Sequence, residues 1–391
     1  MLKGALASPL FVAAYAATSV AEPLSDSPMS EEIYFAGFAY LTDYQDVSQR
    51  LPCTSRVVND TGAQIFDRQL FELATSVPCQ AKINDGLGTL KAGRAAYVTA
   101  LAVNHEITDV ERIGNQYKLS VTLWGQLLVF DFQSKSVVSS TPVVSQFIDL
   151  FDTDPTEDEI LAAYGRLVNG EDAGGLKSQF AKAISGSILP RNSSRTIRVT
   201  QSTLSEKARQ QVIDLRLGGA ETYTANIASR LSGWLTSQQK ICVLPAASNQ
   251  ALGGKMAARL SNGDVYTLNI PAPDYELHLT LDGFKKVLVT DVPAGKGYVY
   301  GAFVTLMAVE PLSATRFFEA QIRVGVKRTQ PATASEINDG PVFDEALQEL
   351  FMEFTQAIEP ADDAWARQNI LPTQTAVSSM QALRKMIQTC R

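Results

Sequence analysis

The chain has 391 residues, 45% of them hydrophobic and 19% charged, with a formal net charge of -7, enough length and apolar content for two domains with real cores. The charge is uneven: residues 22–190 carry 12 Lys and Arg against 22 Asp and Glu, net -10, and residues 191–391 carry 21 against 19, net +2. An acidic front half lacks the basic face that nucleic acid requires, so no nucleic-acid partner is expected, and the acidity reads as a soluble surface or a dock for a basic patch.

In chain order, Met1 to Ala21 reads as a cleaved signal peptide: Lys3 is the basic start, Gly4 to Ala17 an apolar run too short to span a bilayer, and Ser19-Val20-Ala21 a small-residue cleavage site. The mature chain is expected to start near Glu22 and to be periplasmic, or else secreted. No cysteine follows the site, so no lipid anchor is expected, and no later stretch reaches the roughly 20 apolar residues of a membrane span. The remainder divides into a first module at 22–190, a second at 191–360 and a tail at 361–391.

Ile33 to Leu41 reads as a buried strand and Gln64 to Leu73 as a helix. Strands are predicted at 95–103, 107–113, 117–132 and 137–147, with a Gly114-Asn115 hairpin turn. Alternation in Tyr117 to Trp124 predicts a sheet with one buried and one wet face, helices covering the former. Asp152 and Asp154 precede a capping box, Thr156-x-x-Glu159, which explains the acidic cluster without calcium. Helices follow at 160–167 and 176–184, and the break at 189–194 marks a module boundary.

The second half repeats the plan. A strand at 196–200, a helix opened by Thr203-x-x-Glu206, a helix at 223–235, a strand at 241–244 and a short helix at 252–260 are expected. Strands at 275–281 with 287–289, 298–309 and 317–326 follow, then an amphipathic helix at 343–358 with Leu347, Leu350, Phe351 and Phe354 on one face. A last helix at 376–389 turns Leu383, Met386 and Ile387 inward. The expected fold class is α+β: two similar modules, each a mainly antiparallel sheet covered by helices.

Four cysteines, Cys53, Cys79, Cys242 and Cys390, lie beyond the leader. In an oxidising compartment an even count favours two disulfides; of three pairings, Cys53 with Cys79 and Cys242 with Cys390 are preferred, with free buried thiols as the alternative. Their spacing fits no zinc site.

The residues offer little chemistry. His105 and His278 stand within strands, with no G-x-S-x-G elbow or H-E-x-x-H helix. Ile241 to Lys255 mimics a phosphate loop, but Asn249 and Met256 stand where the motif needs Gly and Ser or Thr. Ser237-x-x-Lys240 has a serine-acylase spacing but straddles a helix end. Carboxylate pairs such as Glu31-Glu32 and Asp362-Asp363 are too common to single out one as acid and base. Asn59-x-Thr61 and Asn192-x-Ser194 are sequons that matter only in a eukaryotic pathway. No catalytic, cofactor-binding or metal residues are assigned, and the chain is read as non-enzymatic.

The order helix, strand, helix, three antiparallel strands and closing helix over Tyr223 to Ile358, ending in FDEALQELFMEFTQAI, resembles the periplasmic family of the TolB amino-terminal domain and the curli secretion lipoprotein CsgG. Related modules occur in penicillin-binding-protein activators and flagellar outer-ring proteins. The resemblance implies an accessory or scaffold for a bacterial envelope machine (a secretion channel, flagellar ring or cell-wall complex), with other envelope proteins as partners and possible self-association. Lacking a cysteine at its expected mature start, the chain departs from the lipoprotein members. The competing expectation is a periplasmic small-ligand or glycan binder, or a hydrolase, with a cleft between the modules.

Overall fold

A computed structural model describes residues 32–41, 47–79, 81–85, 96–113, 115–170, 172–187, 195–246, 255–260, 265–293, 295–331 and 339–391. Residues 1–31, with the expected signal peptide and Glu31, the 189–194 break and most of the phosphate-loop mimic lie outside the described residues. Two mixed sheets, each flanked by helices, make the expected α+β architecture of two similar modules.

The first sheet is built around β1 (Glu32–Tyr40), which pairs in parallel with β3 (Tyr97–Ile113). From β3 a meander runs through β4 (Gln116–Asp131) to β5 (Val137–Phe151), the outer strand. The two predicted strands at 95–103 and 107–113 are one strand, bulged between Val103 and His105. On the other side of β1 lie β2 (Lys82–Asp85) and then a hairpin, β7 (Lys255–Leu260) and β8 (Val265–Asn269). That hairpin comes from the second half of the chain, so the first sheet draws on both halves. It also replaces the helix expected at 252–260: its Ala, Met and Leu suit a helix, but the open edge of β1 supplies backbone partners that outweigh propensity.

After the single turn α1 (Val47–Arg50), α2 (Pro52–Thr61), α3 (Ala63–Ser76), α4 (Glu157–Asn169) and α5 (Leu176–Gly186) cover one face of this sheet around Phe38, Phe66, Leu70, Tyr164 and Phe180. The predicted wet face is dry at the root of the sheet: Tyr34, Val98, Leu128 and Phe130 there pack with Leu244, Leu268 and Ile270 of the second half. The capping box forms as expected, Thr156 Oγ1 accepting from Glu159 N–H and the Glu159 carboxylate accepting from Thr156 N–H.

In the second sheet β6 (Ile197–Leu204) lies parallel to β9 (Tyr275–Val292), followed by β10 (Gly295–Glu310), β11 (Thr315–Pro331) and the short β12 (Ile370–Leu371). α7 (Ala220–Gln239), α8 (Gly340–Ile358) and α10 (Thr373–Gln388) pack on it, with Phe343, Leu350, Phe351 and Phe354 inside the core. α6 (Glu206–Asp214) is capped by Ser205, whose Oγ accepts from Ala208 N–H; the expected box residue Thr203 is still in β6. Ile241 to Leu244 is extended but forms one bridge, Ile197 to Val243, and not a full strand.

The modules meet along α7 and β5. Gly233 of α7 lies over Pro142, and the Arg230 guanidinium sits 5.6 Å from the centre of the Trp124 ring. Phe351 is 1% exposed, so Phe351→Ala should lower unfolding free energy by about 3 to 5 kcal/mol without changing the denaturant slope. Urea titration followed by tryptophan fluorescence measures both.

Candidate functional site

The structure separates the candidate residues. His105 lies on β3 in the first sheet, and His278 on β9 in the second, where its Nε2 is 3.1 Å from Glu276 of the same strand. Ser237 donates to the carbonyl of Trp234, and Lys240 follows the helix in a left-handed conformation, so they do not share a helical turn. Asp362 caps α9 (Asp363–Asn369), accepting from Ala364 and Trp365 N–H. Among the described residues, no three His, Cys, Asp or Glu side chains converge on a metal position.

The four cysteines are free, so neither expected disulfide is formed. The partners of each explain why. Cys53 sits in the first turn of α2 against Glu106, whereas the Cys79 sulfur is 3.8 Å from Ser187 Oγ at the end of α5. Cys242 bonds Ser139, and Cys390 lies beside the Met386 carbonyl in the last helix. Burial pushes the Cys53 and Cys242 thiols up to about 11 and that of Cys390 up to about 12, away from the thiolate that metal binding or exchange requires. Cys242 and Cys390 should therefore resist a thiol reagent in the native protein and react only in denaturant, which a timed thiol titration checks.

Two carboxylates of the first module, buried Glu106 and half-buried Asp67, accept from main-chain amides. Glu106 reaches from β3 to the start of α2 and accepts 2.8 Å bonds from Cys53 and Thr54 N–H, capping a helix that has no cap of its own. Nearby, Gly37 (φ 93°) bulges β1 and frees Phe38 N–H, which donates to Asp67 of α3 at 2.8 Å. A Cβ at Gly37 would sit 2.8 Å from that carboxylate, so the latch requires glycine. Burial raises the Asp67 pKa to about 6, the Phe38 bond opposing. Both acids thus do structural work: one ends a helix, the other pins a bulge.

The sign for Asp67 follows from linkage. Its folded pKa lies above the unfolded value, so its contribution is most favourable below about pH 4 and is lost as pH rises through about 6. Asn at this position still accepts from Phe38 and never ionises. Asp67→Asn should therefore gain stability relative to wild type between pH 4.5 and pH 7.5, as urea melts at the two values would show.

The second sheet offers a different feature, a strand that runs past its helical cover. β6 pairs with β9 only as far as Leu281, and Ser205 N–H then donates to the Leu281 carbonyl. At Phe284 the side chain of Gln211 takes the place of a neighbouring strand, accepting from the N–H at 2.8 Å and donating to the C=O at 2.9 Å. Gly283 (φ 140°) permits this approach, since a Cβ there would lie 2.7 Å from Gln211 Oε1. Beyond Phe284, β9 pairs with β10 alone among the described residues.

In an antiparallel strand alternate residues turn both main-chain groups to the same side. With Phe284 facing outward, Lys286 and Leu288 face outward too, before the bulge between Leu288 and Thr290. Val287, Leu288, Val289 and Val292 are 41–56% exposed, an aliphatic run unusual outside a core. The arm is fixed at its root. Lys286 Nζ lies 2.8 and 2.9 Å from the Asp339 carboxylate at the start of α8 and 4.3 Å from the Tyr298 ring centre, and Tyr300 OH donates to Asp339 at 2.7 Å. Burial disfavours the lysine's charge, but its bonds to Asp339 and Tyr300 more than offset this and raise its pKa. Chemically the arm presents backbone donors and acceptors, aliphatic surface and positive charge, a combination suited to a polypeptide strand.

No protein-family model and no curated protein matches the sequence. Among solved structures, a Xanthomonas campestris protein described as a DUF330 member is similar over 52% of this chain and 95% of its own, at 9% identity and a TM-score of 0.24. An Ntf2-like protein involved in plasmid conjugation is similar over 77% of this chain and 93% of its own, at 10% identity and a TM-score of 0.12. Likenesses this slight carry no argument.

Proposed function

We propose that this protein is an exported, non-enzymatic scaffold that supports the assembly or stability of a bacterial envelope machine, working by strand addition at its open sheet edge. The observation that carries this reading is the arm at Lys285 to Val292, an aliphatic edge strand whose inner stretch is covered and whose outer stretch is open. Edge strands left bare invite pairing, and proteins ordinarily blunt them. Here Gln211 closes the edge at Phe284, and among the described residues no strand covers the next ones. The leader-like Met1 to Ala21 supports export. No helix among the described residues is long and apolar enough to cross a membrane.

Envelope fractionation and complementation of a deletion strain test this. The protein should leave the cell in an osmotic-shock fraction with its amino terminus near Glu22. Val287→Ser with Leu288→Ser should abolish complementation at unchanged thermal stability, whereas His105→Gln with His278→Gln should complement fully. Loss of function in the histidine variant at unchanged stability would point instead to an active site. A retained Met1 would remove the export premise.

A further inference from the structure

We infer that the basic β9 arm is a receptor for the acidic end of β5 in a second copy of this chain, so that copies associate head to tail. This rests on the strand-addition reading above and names the partner.

Seven of the ten large apolar side chains that stand exposed among the described residues lie at one end of each sheet. Four are on the β9 arm. Val110, Ile148 and Leu150 are on the matching end of the first sheet, where β3 and β5 run out from their helices.

Backbone accounting shows β5 to be open at that end. Ser140 N–H donates to the Val243 carbonyl, Pro142 has no N–H to satisfy, and Gln146 N–H donates to Gly174. These even-numbered residues face the outside of the sheet, and the pairing with β4 is regular from Thr141 to Phe151, so Ile148 and Leu150 face outward as well. Leu150 N–H has turned to the Asp149 side chain, 2.9 Å away, and no strand lies beyond it among the described residues. Each module therefore keeps a short bare edge with two outward residues: Ile148 and Leu150 on one, Lys286 and Leu288 on the other.

Charge makes the two edges complementary. Around the β5 end the carboxylates Asp109, Asp149, Asp152 and Asp154 outnumber the cations Arg112, Lys118 and Arg166, the last lying 3.2 Å from Asp149. Around the β9 arm stand exposed Lys285, Lys296, Arg323 and Lys327, with Asp291 the one acid on β9's outer stretch. Two β9 arms placed together would repel, and so would two β5 ends; one of each attracts. The same opposition separates the halves of the sequence, at -10 and +2. Because the surfaces differ, the contact is heterologous, and repetition builds a ring or a filament.

Light scattering after gel filtration tests this with the full mature protein and two variants. Ile148→Ser with Leu150→Ser removes the acidic edge, and Val287→Ser with Leu288→Ser removes the arm; all four side chains are exposed, so thermal melting should match wild type. Wild type should grow in mass with concentration and shrink in high salt. Each variant alone should be monomeric, and an equimolar mixture should give a dimer that grows no further, since each variant retains the edge its partner lacks. A wild type that stays monomeric throughout, or variants that fail to pair, would overturn the inference. If wild type is monomeric while the arm variant still fails to complement, the scaffold reading survives with a different partner; if the arm variant complements, that reading fails as well.

Discussion

Every long strand in this protein must find partners for the N–H and C=O groups on its outer side, and the way this is met at β5 and β9 arranges the rest. A buried strand with unpaired amides is costly, at roughly 1 to 3 kcal/mol for each unsatisfied group. On β5 the need is met from both halves of the chain: Val243 supplies a carbonyl, while within the first half Pro142 removes a donor where α7 crosses and the turn at Gly174 closes the next position. On β9 it is met by β6, then Ser205, then the Gln211 amide. Where this cover stops, the edges left without a neighbouring strand among the described residues begin.

The buried acids follow the same logic at a smaller scale. Glu106 satisfies the first amides of α2, and Asp67 satisfies an amide that a bulge has taken out of its ladder. Each carboxylate is held by backbone donors within a cluster that includes Tyr40, Cys53 and Tyr164, groups whose protons burial retains.

Periodicity exposed much of the fold before any coordinates. The closing helix was legible from Leu347, Leu350, Phe351 and Phe354, and the meanders from alternation and the turn at Asn115, because local patterns encode local elements. The hairpin at 255–269 was not legible, since what makes it strand is β1, far off in the sequence. Cysteine pairing failed for a related reason: an even count speaks to compartment and says nothing of distance. The bare edges lay between these cases. Val287-Leu288-Val289 was recognisable as a strand, but which side of it would be left open depends on where β6 ends and where Gln211 reaches. Gly283 and Gly37 carried the signal, in that glycine within a strand pattern marks a bulge or a close approach.

The hairpin that completes the first sheet also sets an order of events. β1 leaves the ribosome long before its partner, since its residues Ala39 and Tyr40 pair with Leu260 and Arg259. At synthesis rates of roughly 5 to 20 residues per second, the interval is on the order of 10 to 40 s. Through that time the front half has an unclosed seam beside β1 and an uncovered apolar face where Leu244, Leu268 and Ile270 will later pack. A nascent chain in this condition is a natural client for a holding chaperone. Expressed alone, the front half would keep that seam permanently, so a truncation near residue 190 is a route to aggregates and not to an independent module.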